Sequence, residues 1–274
     1  DGRPDVTLVM GVVNVTPDSF SDGGRYASHD AAIAHGRALI ADGADLLDVG
    51  GESTRPGATR VAPSGEQARI LPVVEALAAE GATISVDTMN AATAVAAVAA
   101  GARIVNDVSG GLADPDMLAA VAGTDADVVL QHWRGHSADM YGTAVYEDIV
   151  AEVVGELGER VAAARATGIP DHRIVIDPGF GFGKTPEQNW RVVRGLGRLV
   201  VGGQRVLVGT SRKRMLAVAA SGADIELTGE DDLDLATAVT SVLAAQAGVW
   251  AVRVHDVAAT RLALAVRTAW EGEG

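Results

Sequence analysis

A (β/α)8 barrel of the TIM type is predicted by three features of this sequence. Eight short apolar runs recur along its 274 residues, segments with helical spacing lie between them, and the joints are short. Strands that alternate with helices in this way run parallel and are joined by right-handed crossovers. Eight such units in about 250 residues match a closed barrel. A doubly wound open sheet is the alternative arrangement of the same elements.

The elements follow in order. Leu8 to Val15 is the first strand, apolar almost throughout, and Asp30 to Asp42 is the helix after it. Leu46 to Val49 leads to Glu66 to Glu80, and Ile84 to Val86 leads to Ala91 to Ala100, an Ala-rich helix former. The fourth run is Ile104-Val105 with Val108. The fifth, Val128 to Leu130, precedes the helical segment Ile149 to Ala166. Ile174 to Ile176 is β-branched, as expected of a strand buried on both faces, and leads to Pro186 to Val200. Val206 to Val208 is followed by the acidic loop Gly222 to Asp234, expected to separate two helices and to be solvated, and then by Leu235 to Ala247. Val249 to Val254 and Ala258 to Trp270 close the series. No composition shift or linker divides the chain, so residues 1–274 are expected to form a single domain.

Bulk chemistry narrows the function. A hydrophobic content of 48% supports a full core. With 22 basic against 36 acidic residues the formal charge is −14, which argues against a nucleic-acid or anionic-membrane partner. Without cysteine there is no disulfide, thiolate metal site or Cys nucleophile. No apolar run approaches the roughly 18 residues of a membrane span. Residues 1–4 carry no signal-peptide pattern, although the chain does not begin with Met, and a cytoplasmic location is the expectation.

A barrel of this kind carries its active site at the C-terminal ends of its strands. Those ends supply Asn14, Asp48 with Glu52, Asp87, Asn106 with Asp107, His132, Asp177, Ser211 to Lys213, and Arg253 with His255. Singly, each is most simply a cap or turn residue. Capping alone, however, does not call for Lys213, Arg253 and His255 on one rim. Together the set describes a pocket with a hydrogen-bonding half and an anion-binding half.

Some patterns carry less than they first suggest. Gly179 to Thr185 resembles a phosphate loop, but Pro178 stands where that motif needs glycine. The glycines more simply let backbone approach a flat ligand, with Phe182 as a packing face. His132 and His136 have i, i+4 spacing, yet Gly135 intervenes and no acidic ligand adjoins them in sequence. Ser211-Arg212-Lys213-Arg214 at a helix start is a stronger anion signal, since amides and cations there suit a carboxylate or phosphate. The polar, glycine-punctuated loops Thr16 to Tyr26 and Gly50 to Arg60 lie on the functional rim and are expected to act as lids.

At the level of motifs the chain resembles the dihydropteroate synthase family. The matching stretches are MGVVNVTPDSFSDGG from Met10, DVGGESTRPGA from Asp48, SVDTM from Ser85, VNDVSGG from Val105, DPGFGFGKT from Asp177, SRKR from Ser211 and RVHDV from Arg253. They follow the family order over nearly the whole chain. The resemblance implies a (β/α)8 homodimer of folate biosynthesis. Such an enzyme joins 6-hydroxymethyl-7,8-dihydropterin diphosphate to 4-aminobenzoate, with Mg2+ assisting diphosphate release, and sulfonamides mimic the aminobenzoate.

The resemblance also implies residue roles. Asp87, Asn106 and Asp177 would bind the pterin edge, with Lys213 and the Gly209 backbone completing the network, while Val108 and Phe182 line the ring. Asn14 would hold Mg2+; Thr54, Arg253 and His255 would contact the diphosphate, and Arg55 would close over it. Asp22 would sit on the aminobenzoate amine, and the helix starting near Ser211 would face its carboxylate. C–O cleavage would be dissociative, with Asp87 stabilising the cationic methylene. Departures from the family pattern are Gln131 for a usual Met, Arg214 for Ser, and Met215 and Ala217 for Phe and Gly. Two other readings share the pterin constellation: a methyltetrahydrofolate methyltransferase-like barrel and a non-catalytic pterin-binding paralogue.

Overall fold

The computed structural model describes residues 6–15, 24–52, 61–135 and 145–272. Eight parallel strands close into a barrel in sequence order, β8 pairing back onto β1. They are β1 (Leu8–Asn14), β2 (Leu46–Gly50), β3 (Ile84–Asp87), β4 (Ile104–Asp107), β5 (Asp127–Gln131), β6 (Ile174–Asp177), β7 (Arg205–Val208) and β8 (Ala251–Val254). Outside them lie α1 (Gly24–Ala41), α2 (Pro63–Ala79), α3 (Ala91–Ala99), α4 (Met117–Ala122), α5 (Ile149–Ala166), α6 (Pro186–Arg194), α7 (Leu196–Val201), α8 (Arg214–Ser221), α9 (Glu230–Gln246) and α10 (Val257–Glu271).

The period-2 geometry of the strands places the site. Met10, Leu46, Ile104, Val129, Val175, Leu207 and Ala251 form one buried apolar cluster, a plug contributed by seven strands. Two residues further along, the same faces of β2, β4, β5, β6 and β8 carry Asp48, Asn106, Gln131, Asp177 and Arg253. Cross-strand register aligns Gly50 with Asp87, Asp87 with Asn106, and Gln131 with Asp177. The intervening residues, such as Leu47, Val49, Val86, Val105 and Ile176, face outward into the larger core beneath the helices. These five short strands are therefore buried on both faces yet each delivers a polar group at or near its end.

Several boundaries differ from those read in the sequence. β4 ends at Asp107, with Val108 in the following turn, and β8 begins at Ala251. The expected helix Pro186 to Val200 is two helices, α6 and α7, divided at Gly195. A Cβ on Gly195 would lie 2.6 Å from Val150 Cγ1, so the break lets the chain pass close against α5. The six-residue α4 has too little length to show a helical period in sequence. The acidic loop is shorter than expected: Glu230, Asp231 and Asp232 form the first turn of α9, where acids complement the helix dipole. Asp234 is buried and ion-paired with Arg212, so the acidic segment is not simply a solvated surface.

Candidate active site

The strand ends of β2, β3, β4 and β8 are joined by one charged network. Asp48, fully buried, accepts hydrogen bonds at Oδ2 from Arg253 Nε and from Asn106 Nδ2, the latter at 3.0 Å. Arg253 Nη2 reaches across to Asp87 Oδ2 at 3.0 Å. Burial and then the Asp48 charge push the Asp87 carboxyl up, and Arg253 opposes them. Asn106 is buried, and its Oδ1 has no hydrogen-bond partner among the described residues.

β6 supplies the opposite wall. Asp177 accepts the Gly179 amide at 2.7 Å, and burial holds its carboxyl up at about 6 against the pull of Gly179, Lys213 and Arg253. The chain then turns through Gly179, Gly181 and Gly183, all at positive φ. A Cβ at Gly179 would sit 2.3 Å from His132 O, so only glycine fits that crossing. The turn buries Phe180 in the core and sets the ring of Phe182 4.4 Å beneath Lys213 Nζ. Burial and Arg253 push Lys213 down to about 8, whereas Asp177 and Asp87 pull it up. Asp87, Asp177, Lys213 and Arg253 thus share the C-terminal mouth of the barrel and act on one another's charge. A Cβ added to Gly209, past the end of β7, would lie 3.8 Å from the Arg253 Cβ.

Ser211 and His255 form a reciprocal pair on the same rim. The Ser211 hydroxyl accepts the His255 backbone N–H at 3.1 Å and lies 2.8 Å from Nδ1. With the hydroxyl donating to Nδ1, the imidazole proton sits on Nε2. Burial and neighbouring Arg212 push His255 down to about 4, so it is neutral at pH 7.

The basic run is less concentrated than its sequence suggests. Arg212, at φ 55°, clamps Asp234 with Nε and Nη2 at 2.8 and 2.7 Å and pairs with Glu230. Arg214 is exposed in the first turn of α8. Of the three cations, only Lys213 joins the cavity network. Lys184, the apparent phosphate-loop lysine, is buried among carbonyls.

Asn14 stands exposed at the end of β1, and Val108 is buried just past β4. Gln131, buried, donates from Nε2 to Val108 O at 3.3 Å and so belongs to the wall. Asp107 faces away from the cavity, accepting from Ser109 and Gly111. Asp22, Thr54 and Arg55 lie outside the described residues, as do His136 and most of both proposed lids. Asp48, marked in sequence only as a strand-end acid, is the network's hub. No motif signals that role, although its even spacing from Leu46 would put it inside the barrel.

The chain and its fold have relatives among known proteins. A model of the pterin binding enzyme family matches residues 10–255. The chain belongs to that family. The dihydropteroate synthase of Mycobacterium leprae is 52% identical over 263 residues, which cover 96% of this chain and 93% of that one. The Xanthomonas albilineans dihydropteroate synthase, solved with 4-aminobenzoic acid, aligns with a TM-score of 0.89 at 46% identity, covering 98% of this chain and 95% of that one. The same enzyme solved in complex with 7,8-dihydropteroate gives 0.86 at 43% identity with the same coverage. Within the pterin binding enzymes this chain belongs to the dihydropteroate synthases, transferases of folate biosynthesis.

Proposed function

We propose that the barrel mouth binds 6-hydroxymethyl-7,8-dihydropterin diphosphate, releases its diphosphate and joins the pterin methylene to the amine of 4-aminobenzoate. The observation that carries this reading is the gathering of Asp87, Asn106, Asp177 and Lys213 beside Arg253. A flat heterocycle with alternating donors and acceptors suits this set. The carboxylates of Asp87 and Asp177 accept pterin N–H groups, and the unpartnered Asn106 Oδ1 offers a third buried acceptor. Lys213 and the Gly209 backbone face the ring's acceptor edge, and Phe182 and Val108 pack on its surfaces. Each charge-assisted bond contributes roughly 1.5–3 kcal/mol.

The C–O bond breaks with its electron pair leaving on the diphosphate, and the cationic methylene forms beside Asp87. The aminobenzoate nitrogen then adds, and its surplus proton is lost. Arg253, the Nε2–H of His255, Thr54 and Arg55 attend the leaving anion, and Asp22 attends the amine. Ser211 orients His255, and the start of α8 faces the aminobenzoate carboxylate. The site is preorganised electrostatically and uses no covalent nucleophile.

Mg2+ suits the same reading. Among the described residues no three His, Cys, Asp or Glu group together as a cage, and the exposed Asn14 offers a carbonyl at the mouth. An ion held by one protein oxygen and mostly by substrate phosphates is the ordinary Mg2+ arrangement. When bound, it neutralises charge on the departing diphosphate. The working unit in this reading is a cytoplasmic homodimer. Leu235, Val239 and Leu243 of α9 and Leu262, Val266 and Trp270 of α10 recur every four residues and are exposed, giving two adjoining helices an apolar face that a second copy would cover.

The test is a diphosphate-release assay with and without 4-aminobenzoate, with complementation of a synthase-deleted strain beside it. Release coupled to dihydropteroate formation is expected. Methyl transfer to a corrinoid without diphosphate release, or failure to complement, would overturn the reading.

A further inference from the structure

Beneath the glycine-rich turn lies a polar cluster that the reaction above does not use. Lys184 is 1% exposed, and its ammonium has three acceptors: Gly179 O at 3.0 Å, Phe182 O at 3.0 Å and His132 Nδ1 at 2.9 Å. His132 is also buried, and its Nε2 lies 3.0 Å from Glu156 Oε2 on α5. Glu156 in turn pairs with Arg134, whose guanidinium stacks 3.8 Å over the Tyr146 ring, and the Tyr146 hydroxyl donates to Gly183 O at 3.0 Å. Three carbonyls of the turn are thus anchored by the side chains of Lys184 and Tyr146.

One assignment of protons suits the contacts around Lys184 and His132. An ammonium has three N–H donors for three acceptors, whereas a neutral amine would turn a lone pair toward one of them. His132, which burial pushes down to about 4, is neutral; the tautomer with its proton on Nε2 leaves Nδ1 to accept from Lys184, and Nε2, though 3.0 Å from Glu156 Oε2, makes no hydrogen bond among the described residues. Glu156 stays ionised: burial acts to raise it, but His132 and Arg134 draw it down to about 2. Burial pushes Lys184 down to about 7. The charged groups facing it are Asp177 at the end of β6 and Glu156 on α5, which favour its proton, and Arg134 and Lys213, which oppose it.

We propose that Lys184 is a positioning residue for the pterin half of the site, and that the nearby Glu156 charge helps keep it protonated. Holding the Gly179 and Phe182 carbonyls fixes the amide that orients Asp177 and the ring that lies under Lys213. The proposal rests on the assignment of Asp177 and Phe182 to the pterin.

Its test compares Lys184→Met, Glu156→Gln and Asp177→Asn with the unaltered enzyme, measuring kcat and KM for both substrates from pH 5.5 to 9. Lys184→Met is expected to raise KM for the pterin diphosphate about tenfold or more while kcat and the aminobenzoate KM change less than about threefold. Glu156→Gln is partly exposed and near-isosteric, so it keeps the proposal testable should Lys184→Met not fold. Without the Glu156 charge, Lys184 loses its proton at lower pH, so the high-pH limb of kcat/KM for the pterin diphosphate moves down by about half a unit or more. A purely structural role would depress that profile without moving its limb. An unmoved limb, or an unchanged pterin KM in Lys184→Met while Asp177→Asn raises it, overturns the proposal alone. An unchanged pterin KM in Asp177→Asn as well would overturn the pterin assignment and the proposal with it.

Discussion

Arg253 Nη2 donates to Asp87 Oδ2 at 3.0 Å while Nε of the same guanidinium holds Asp48, so one cation on β8 spans two acids on β2 and β3. Lysine carries the charge but cannot bridge two carboxylates from a planar fork. Arg253→Lys is therefore expected to lower kcat/KM for the pterin diphosphate on the order of tenfold or more. Steady-state kinetics checks this, and a value within twofold of the unaltered enzyme would show that the fork is dispensable.

In the proposed reaction Asp87 and Lys213 both act on the pterin. Asp87→Ala and Lys213→Ala should each cost on the order of 100-fold in turnover, the usual scale for one preorganised electrostatic group. Single-turnover diphosphate release measures the loss directly, and near-normal rates in either variant would contradict the assignment.

In the proposed reading Asp177 exchanges stability for pterin binding. Its folded value, about 6, lies above the roughly 3.9 of an unfolded aspartate, so the folded state binds the proton more tightly. The stability this group contributes is fully present below pH ~4 and is lost as pH rises through about 6. Asp177→Asn keeps an acceptor for the Gly179 amide and removes the buried charge. At pH 7 it should stabilise the fold on the order of 1 kcal/mol, a gain that fades toward pH 4, while the pterin KM rises. Thermal denaturation across pH reads the first effect, and a lower Tm at pH 7 would refute it.

Gly179 sits at φ 67° with His132 O where its side chain would go. Gly179→Ala should destabilise by about 2 kcal/mol or more, through left-handed strain and a displaced turn. Chemical denaturation tests this, and an unchanged midpoint would mean that the turn is free to shift.

Asp22 is assigned to the aminobenzoate amine, so Asp22→Ala should raise the aminobenzoate KM while diphosphate release from the pterin substrate persists. Equal loss of both would count against that role.

The strand ends were legible in sequence because period-2 strands in a closed barrel leave little freedom in where a terminal side chain points. Ile174-Val175-Ile176 followed by Asp177 already requires a buried strand with an acid at its end, and the ordered motifs from Met10 to Val257 name the chemistry. Sequence could not tell which neighbours share a partner. Arg212, Lys213 and Arg214 look alike in a row, yet Arg212 is turned away by Asp234, 22 residues on, and Arg214 by its place on α8. Lys184 reads as a phosphate ligand until the chain folds it inward onto three acceptors, and Asp48 becomes a hub only once β8 is laid beside β1. Local periodicity and turn chemistry are short-range and are written in the order of residues. The pairing of buried charges depends on which strands and helices closure brings within hydrogen-bond reach, and that was decided by the tertiary structure alone.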